Sequence, residues 1–112
     1  MERYNVILSL EAKADVREIV RYIAVELREP STAERMLDRI DEAVASLETM
    51  PEKYALVTDG YLASCGIRMI SVKKYLIFYI VDYSKNEVNI SRVLYGKRNW
   101  IDLLTTGAGP VC

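Results

Sequence analysis

The sequence, 112 residues long, contains no histidine. That absence removes the commonest general base, the Ser–His and Cys–His nucleophile systems, and zinc sites of the Cys/His type. Cysteine is scarce as well: Cys65 and Cys112 have no metal-ligand spacing, and the default reading is two free thiols in a reducing cytoplasm. No apolar run approaches the roughly 20 residues needed to span a bilayer. The opening "MERYNVILSLEAKAD" has a short apolar stretch followed by charges, with no small-residue cleavage pattern, and reads as a first strand and not as a secretory signal. Also missing are a phosphate-binding glycine loop, internal repeats, low-complexity segments and any carboxylate pair with evident chemistry. Neither a metal nor a cofactor is expected.

What is present fits one domain. A hydrophobic fraction of 51% with 28% charged residues is ordinary for a globular chain with a modest core. The net charge of −1 hides an asymmetry: residues 1–63 carry 8 basic and 13 acidic side chains, whereas residues 64–100 carry 7 basic against only Asp82 and Glu87. A local basic face can meet an acidic partner, nucleic acid or protein, without a high overall pI. Solubilising charges on an open sheet face would look the same in sequence.

Residues 3–10, "RYNVILSL", are rich in apolar and β-branched residues and predict a strand. Ser9 is a candidate N-cap for a helix whose apolar stripe is Val16, Ile19, Val20, Ile23, Ala24 and Leu27, stopped by Pro30. Ser31 or Thr32 can cap a second helix, with Ala33, Met36, Leu37, Ile40, Ala43, Val44 and Leu47 on one side and Pro51 at its end. Two amphipathic helices joined by so short a link must run antiparallel, with a dry side seeking a sheet. Residues 51–65 show no sustained period and read as a connecting loop. Three strands follow, "GIRMISV", "YLIFYIV" and "EVNISRVLY"; the second, apolar throughout, is the central one. After Gly96, "RNWIDLL" predicts a short terminal helix. The predicted class is therefore α+β, in the order β-α-α-β-β-β, with a helical hairpin on a twisted antiparallel sheet. Residues 1–104 form the domain and residues 105–112 a flexible tail.

The stretches "EAKADVREIVRYIA", "TAERMLDRIDEAVASLETMPEKY", "GIRMISVKKYLIFYIVD" and "ISRVLYGKRNWIDLL", in this order, resemble the RelE/ParE superfamily of toxins from type II toxin–antitoxin operons. The resemblance covers about residues 4–104. It implies a growth-inhibiting activity, a cognate antitoxin as partner, a prokaryotic cytoplasm and no membrane. RelE-like members cut mRNA in the ribosomal A site, using sheet lysines and arginines to meet the developing phosphate charge. ParE-like members instead act as protein ligands that poison DNA gyrase. Where the RelE pattern has two lysines, this chain has Ile67 and Met69; the central-strand arginine falls on Leu76 and the terminal tyrosine on Leu104, while the cation of the last loop is kept as Arg98. A slip of one residue makes Arg68 a candidate phosphate contact. "YLIFY" and the basic final loop resemble the ParE branch. Tyr95 stands where a histidine often does; a phenol is a poor base at neutral pH, though it can donate a hydrogen bond or stack on a base.

The resemblance and the charge pattern together nominate Arg68, Lys73, Lys74, Arg92, Lys97 and Arg98 as the target-binding surface. Arg68 and Arg92 form a basic platform with Arg98, or else pair with a helix carboxylate such as Glu18 or Asp41. Were the protein a ribosome-dependent endonuclease, Arg68, Arg98 and Tyr95 would be its catalytic candidates; a third reading is a non-toxic member that only binds its partner. Trp100, Ile101, Leu103 and Leu104 are the candidate antitoxin contact, and in the antitoxin's absence a self-association surface. On that basis Leu103→Asp with Leu104→Asp is expected to weaken antitoxin binding more than folding.

Overall fold

The computed structural model describes residues 3–105. Strand β1 (Asn5–Leu8) leads into helix α1 (Leu10–Arg21), which continues as a π-helical turn (Tyr22–Glu26) before helix α2 (Pro30–Ser46). Ser9 caps α1, its Oγ accepting from the Ala12 N–H at 3.0 Å. Pro30 does not merely end the first helix; it opens the second, at the position where a missing N–H costs nothing. The chain reverses between the helices at Arg28, whose φ of +56° lies in the left-handed region. Helix α3 (Gly60–Ser64) occupies part of the stretch expected as loop, capped by Asp59, whose carboxylate accepts from the Leu62 N–H at 3.0 Å. Strands β2 (Arg68–Val72), β3 (Tyr75–Asp82) and β4 (Glu87–Tyr95) then form a meander, and helix α4 (Trp100–Thr105) follows.

The sheet order is β1-β4-β3-β2. Tight links make β2, β3 and β4 antiparallel, as expected; β1, joined only through the helices, escapes that constraint and pairs parallel with β4 at Asn5–Leu8. A bulge between Phe78 and Tyr79 shifts the β3–β4 register and leaves Ser91 as the extra residue. β4 runs on beyond the end of β1. There its edge is covered by the start of α1: Ser9 Oγ donates to the Ser91 carbonyl at 2.8 Å, and Asp15 accepts from the Val93 N–H at 2.9 Å.

Both faces of the sheet are dry, which is why β3 reads as an unbroken apolar run: Ile77, Phe78 and Tyr79 are all fully buried. The helical hairpin covers one face, with Ile19, Ile23, Ile40 and Leu47 against Ile77, Tyr79, Val88 and Ile90. Tyr79 donates from its hydroxyl to the Pro51 carbonyl at 2.7 Å, and burial pushes its pKa up to about 12. On the opposite face α3 and α4 enclose a second apolar cluster built from Leu62, Ile67, Phe78, Leu94 and Leu104. Trp100 packs on Phe78 with ring centroids 5.2 Å apart, tying α4 to the sheet. Cys65, at the end of α3, is disulfide-bonded and not the free thiol expected; the other cysteine, Cys112, and most of the expected tail lie outside the described residues.

Candidate functional site

Four cations gather at one end of the sheet. The β2–β3 turn presents Lys73 and Lys74; the loop after β4 presents Lys97 and Arg98, and all four are exposed. The two segments are tied together by their backbones, since the Gly96 N–H donates to the Lys74 carbonyl at 2.7 Å. Glycine at position 96 is favoured by this close approach and not by its own backbone conformation: a Cβ there would stand 3.2 Å from the Lys74 oxygen. The loop then closes into α4 through Arg98 N–H to the Tyr95 carbonyl (3.0 Å) and Trp100 N–H to the Arg98 carbonyl (2.8 Å). Asn99 donates to the Asp102 carboxylate at 2.8 Å across the first turn of that helix.

Beneath these cations lies a cleft of 580 Å³ between the end of the sheet and the hairpin. Lys74, Tyr95 and Arg98 line it with Tyr22, Tyr75 and Glu18. The Tyr75 and Tyr95 rings meet edge-on at 5.7 Å, and burial, then the neighbouring Tyr22 and Tyr95, raise the Tyr75 pKa above the ordinary phenol value. The Glu18 carboxylate is held below its usual range by its hydrogen bond with Arg21, so it stays ionised beside the cleft. Such a wall offers hydrogen-bonding phenols, ring faces and two cations. It suits recognition of an anionic or aromatic group more readily than proton abstraction at neutral pH.

Two nominated arginines lie elsewhere. Arg92 sends Nε and Nη2 to the Asp15 carboxylate at 2.8 and 3.0 Å, and both side chains are largely buried (18% and 15% exposed). A helix carboxylate is thus its partner, though it is Asp15 and neither Glu18 nor Asp41. Arg68 donates to the Tyr54 carbonyl at 2.7 Å and pairs across the sheet with Tyr79. It stands five positions before Lys73, on the order of 15 Å of strand away. The expected platform of Arg68, Arg92 and Arg98 is therefore not assembled. In its place the structure brings Tyr22 and Tyr75 to the cleft: Tyr22 lies outside the apolar stripe read for the first helix, and Tyr75 opens the apolar run read as the central strand.

The candidate antitoxin contact is also mostly packed. Leu104 is fully buried, Trp100 and Leu103 are partly buried, and only Ile101 is exposed, at 38%. Leu104→Asp would place a charge in the core, so that substitution would disturb folding first, contrary to the expectation for the double variant. The positions that carry cations in the RelE pattern, Ile67, Met69 and Leu76, pack into the same apolar cluster beneath α3 and α4. Among the described residues, no group of three or more His, Cys, Asp or Glu could hold a metal ion, and no helix is long and apolar enough to cross a membrane.

A helical hairpin on one face of a four-stranded sheet and a short terminal helix on the other define an α+β protein of the RelE/ParE toxin type. Solved structures that share the fold include the chromosomal ParDE toxin–antitoxin system from P. aeruginosa, with a TM-score of 0.67 and 20% identity over 83% of this chain and 96% of that one, and the RelBE2 toxin–antitoxin complex from Mycobacterium tuberculosis, with a TM-score of 0.59 and 19% identity over 83% and 98%. Among curated proteins none matches. The family of the ParE toxin of the type II toxin–antitoxin system parDE matches residues 6–100, and the chain belongs to this family. It is the toxin component of a type II toxin–antitoxin module, on the ParE-like branch.

Proposed function

We propose that this toxin arrests growth in the cytoplasm by binding DNA gyrase through Lys73, Lys74, Lys97 and Arg98, and that a cognate antitoxin holds it in check. The observation that carries this reading is where the cations are. At the sheet positions at which a ribonuclease needs fixed positive charge stand Ile67, Met69 and Leu76, packed in an apolar core, whereas four exposed cations crowd two adjoining surface segments. A surface of that kind suits a protein ligand that needs no proton transfer of its own. For the antitoxin, Ile101 and Leu103 offer the accessible apolar contact on α4, and Trp100 and Leu104 hold that helix in place.

The test is a supercoiled-plasmid assay with purified protein, DNA gyrase and ATP, scored for trapped double-strand cleavage. Wild type is expected to trap cleavage, and Arg98→Ala with Lys97→Ala to need about tenfold more protein for the same effect. Absence of trapping at micromolar wild-type protein would remove the gyrase reading. One feature favours a second reading, a ribosome-dependent mRNA endonuclease: Tyr95, Arg98 and Lys74 do share a cleft. Cleavage of mRNA on translating ribosomes, lost in Tyr95→Phe, would select it.

A further inference from the structure

A different cleft, of 370 Å³, opens between α2 and the β2–β3 turn. Its buried lining is apolar, with Ile23 and Met36 beside the Tyr75 ring. Its exposed lining carries four cations beside Leu27: Arg35 and Arg39 from α2 face Lys73 and Lys74 from the turn, and no carboxylate lines it. Among the described residues none of the four forms an ion pair; Arg35 makes one hydrogen bond, to Thr32 Oγ1 at 3.1 Å. Arg35 and Arg39 are four apart on one helix face, where like charges repel, and Lys73 is held at φ +55°, a conformation unfavourable for a side-chain-bearing residue. Folding alone gives no reason to collect four unpaired cations around an apolar floor. Neighbouring carboxylates exist nearby on α2, yet Glu42 lines only the adjoining cleft with Arg39.

We propose that this cleft seats an acidic segment of a partner polypeptide, with an apolar side chain laid against Ile23 and Met36 and flanking carboxylates on Arg35, Arg39, Lys73 and Lys74. Charge complementarity selects an anion, and the apolar floor selects a peptide over a nucleic acid. A phosphate backbone would satisfy the cations but would bring no aliphatic group to the floor. The volume lies within the range of roughly 300–1,000 Å³ over which clefts engulf a ligand, enough for an anchoring side chain and its neighbours. Lys74, Tyr75 and Leu27 line both this cleft and the tyrosine-walled one, so the two form one trough. A partner seated here neutralises Lys73 and Lys74 and thereby occludes half of the basic surface above. The binding itself does not depend on what the toxin's target is.

The experiment pans a random peptide library on the immobilised chain and measures recovered peptides by fluorescence anisotropy. Enrichment of Asp and Glu around a Leu, Ile or Phe is expected, with affinity that falls as salt rises. Arg35→Glu with Arg39→Glu should weaken those peptides by roughly tenfold or more, whereas Lys85→Glu, a charge reversal in the exposed β3–β4 turn, should leave them within about twofold. Circular dichroism confirms that each variant is folded, and Met36→Gln, which keeps every charge, should also lower affinity. Recovery of neutral or basic peptides, recovery of none, or indifference to the α2 double variant would overturn the proposal. So would tighter binding of a short oligo-dT strand that displaces the peptides, which would assign the cleft to nucleic acid. Neither result bears on the gyrase assay, which can fail or succeed independently.

Discussion

Asp15 shows how much one side chain can do at the edge of a sheet. Its two oxygens accept from Arg92 Nε, Arg92 Nη2 and the Val93 N–H, closing the stretch of β4 that β1 is too short to cover. The pair raises the already high Arg92 pKa through the hydrogen bonds to Asp15, against the opposing effect of burial. Removing the carboxylate leaves a largely buried guanidinium and a backbone donor without partners, so Asp15→Ala is expected to cost about 3 kcal/mol. Asp15→Asn keeps an acceptor for Val93 while losing the charge, and should cost about half as much. Urea melts of both variants measure this, and a loss under about 0.5 kcal/mol for the alanine would show that the pair is incidental. An arginine interrupting an apolar strand points to a helix carboxylate as one possible partner, but not to Asp15. Asp15 sits on the wet side of its helix by periodicity, and only the bulge at Ser91, with the early end of β1, brings it to the edge.

At the scale of elements, the fold was legible where one period dominates a long segment. Both hairpin helices, the buried central strand and the Ser9 cap follow from spacing and composition, and the order of elements follows with them. Three features did not. Helix α3 is only one turn long, too short for periodicity, though Asp59-Gly60 is a readable cap. The parallel pairing of β1 depends on contacts far apart in sequence. The π-helical turn turns Tyr22 outward toward the cleft, and no local pattern marks it. The candidate site divides the same way: Lys73, Lys74, Lys97 and Arg98 were legible as charges next to turns, but their union depends on the contact between two non-adjacent segments at Gly96. That contact makes a prediction. Gly96→Ala requires the Lys74 carbonyl to give way by a few tenths of an ångström. Its stability cost should stay below about 1 kcal/mol, because φ at Gly96 is not in the left-handed region, unlike Gly66 at +84°. Activity against the target should fall by a larger factor than stability implies, since the two basic segments no longer share a frame. Equal activity of Gly96→Ala and wild type would show that the segments act separately.

The whole molecule has two apolar cores of unequal character on one sheet. The hairpin core is built from long helices and all four strands. The other rests on two helices of 5 and 6 residues, held by Leu62, Leu104 and the Trp100–Phe78 contact. Isolated helices that short are unstable in water, so α4 persists only through its packing on the sheet and is the element most easily released. The single tryptophan lies in α4 and nowhere else, which makes its emission a direct report on that helix. In a denaturant titration the Trp100 fluorescence change should therefore precede the loss of far-UV circular dichroism, which is dominated by α1 and α2. Release of α4 would expose Phe78, Leu94 and Leu62 together, a patch suited either to a partner or to a second copy of the chain. Light scattering on protein truncated after Asn99, with reductant present so that Cys65 cannot cross-link, should accordingly show self-association, with the hairpin still helical. Coincident fluorescence and dichroism transitions, with a monomeric truncated protein, would instead mean that the two cores melt as one and that a partner must bind a surface that does not open.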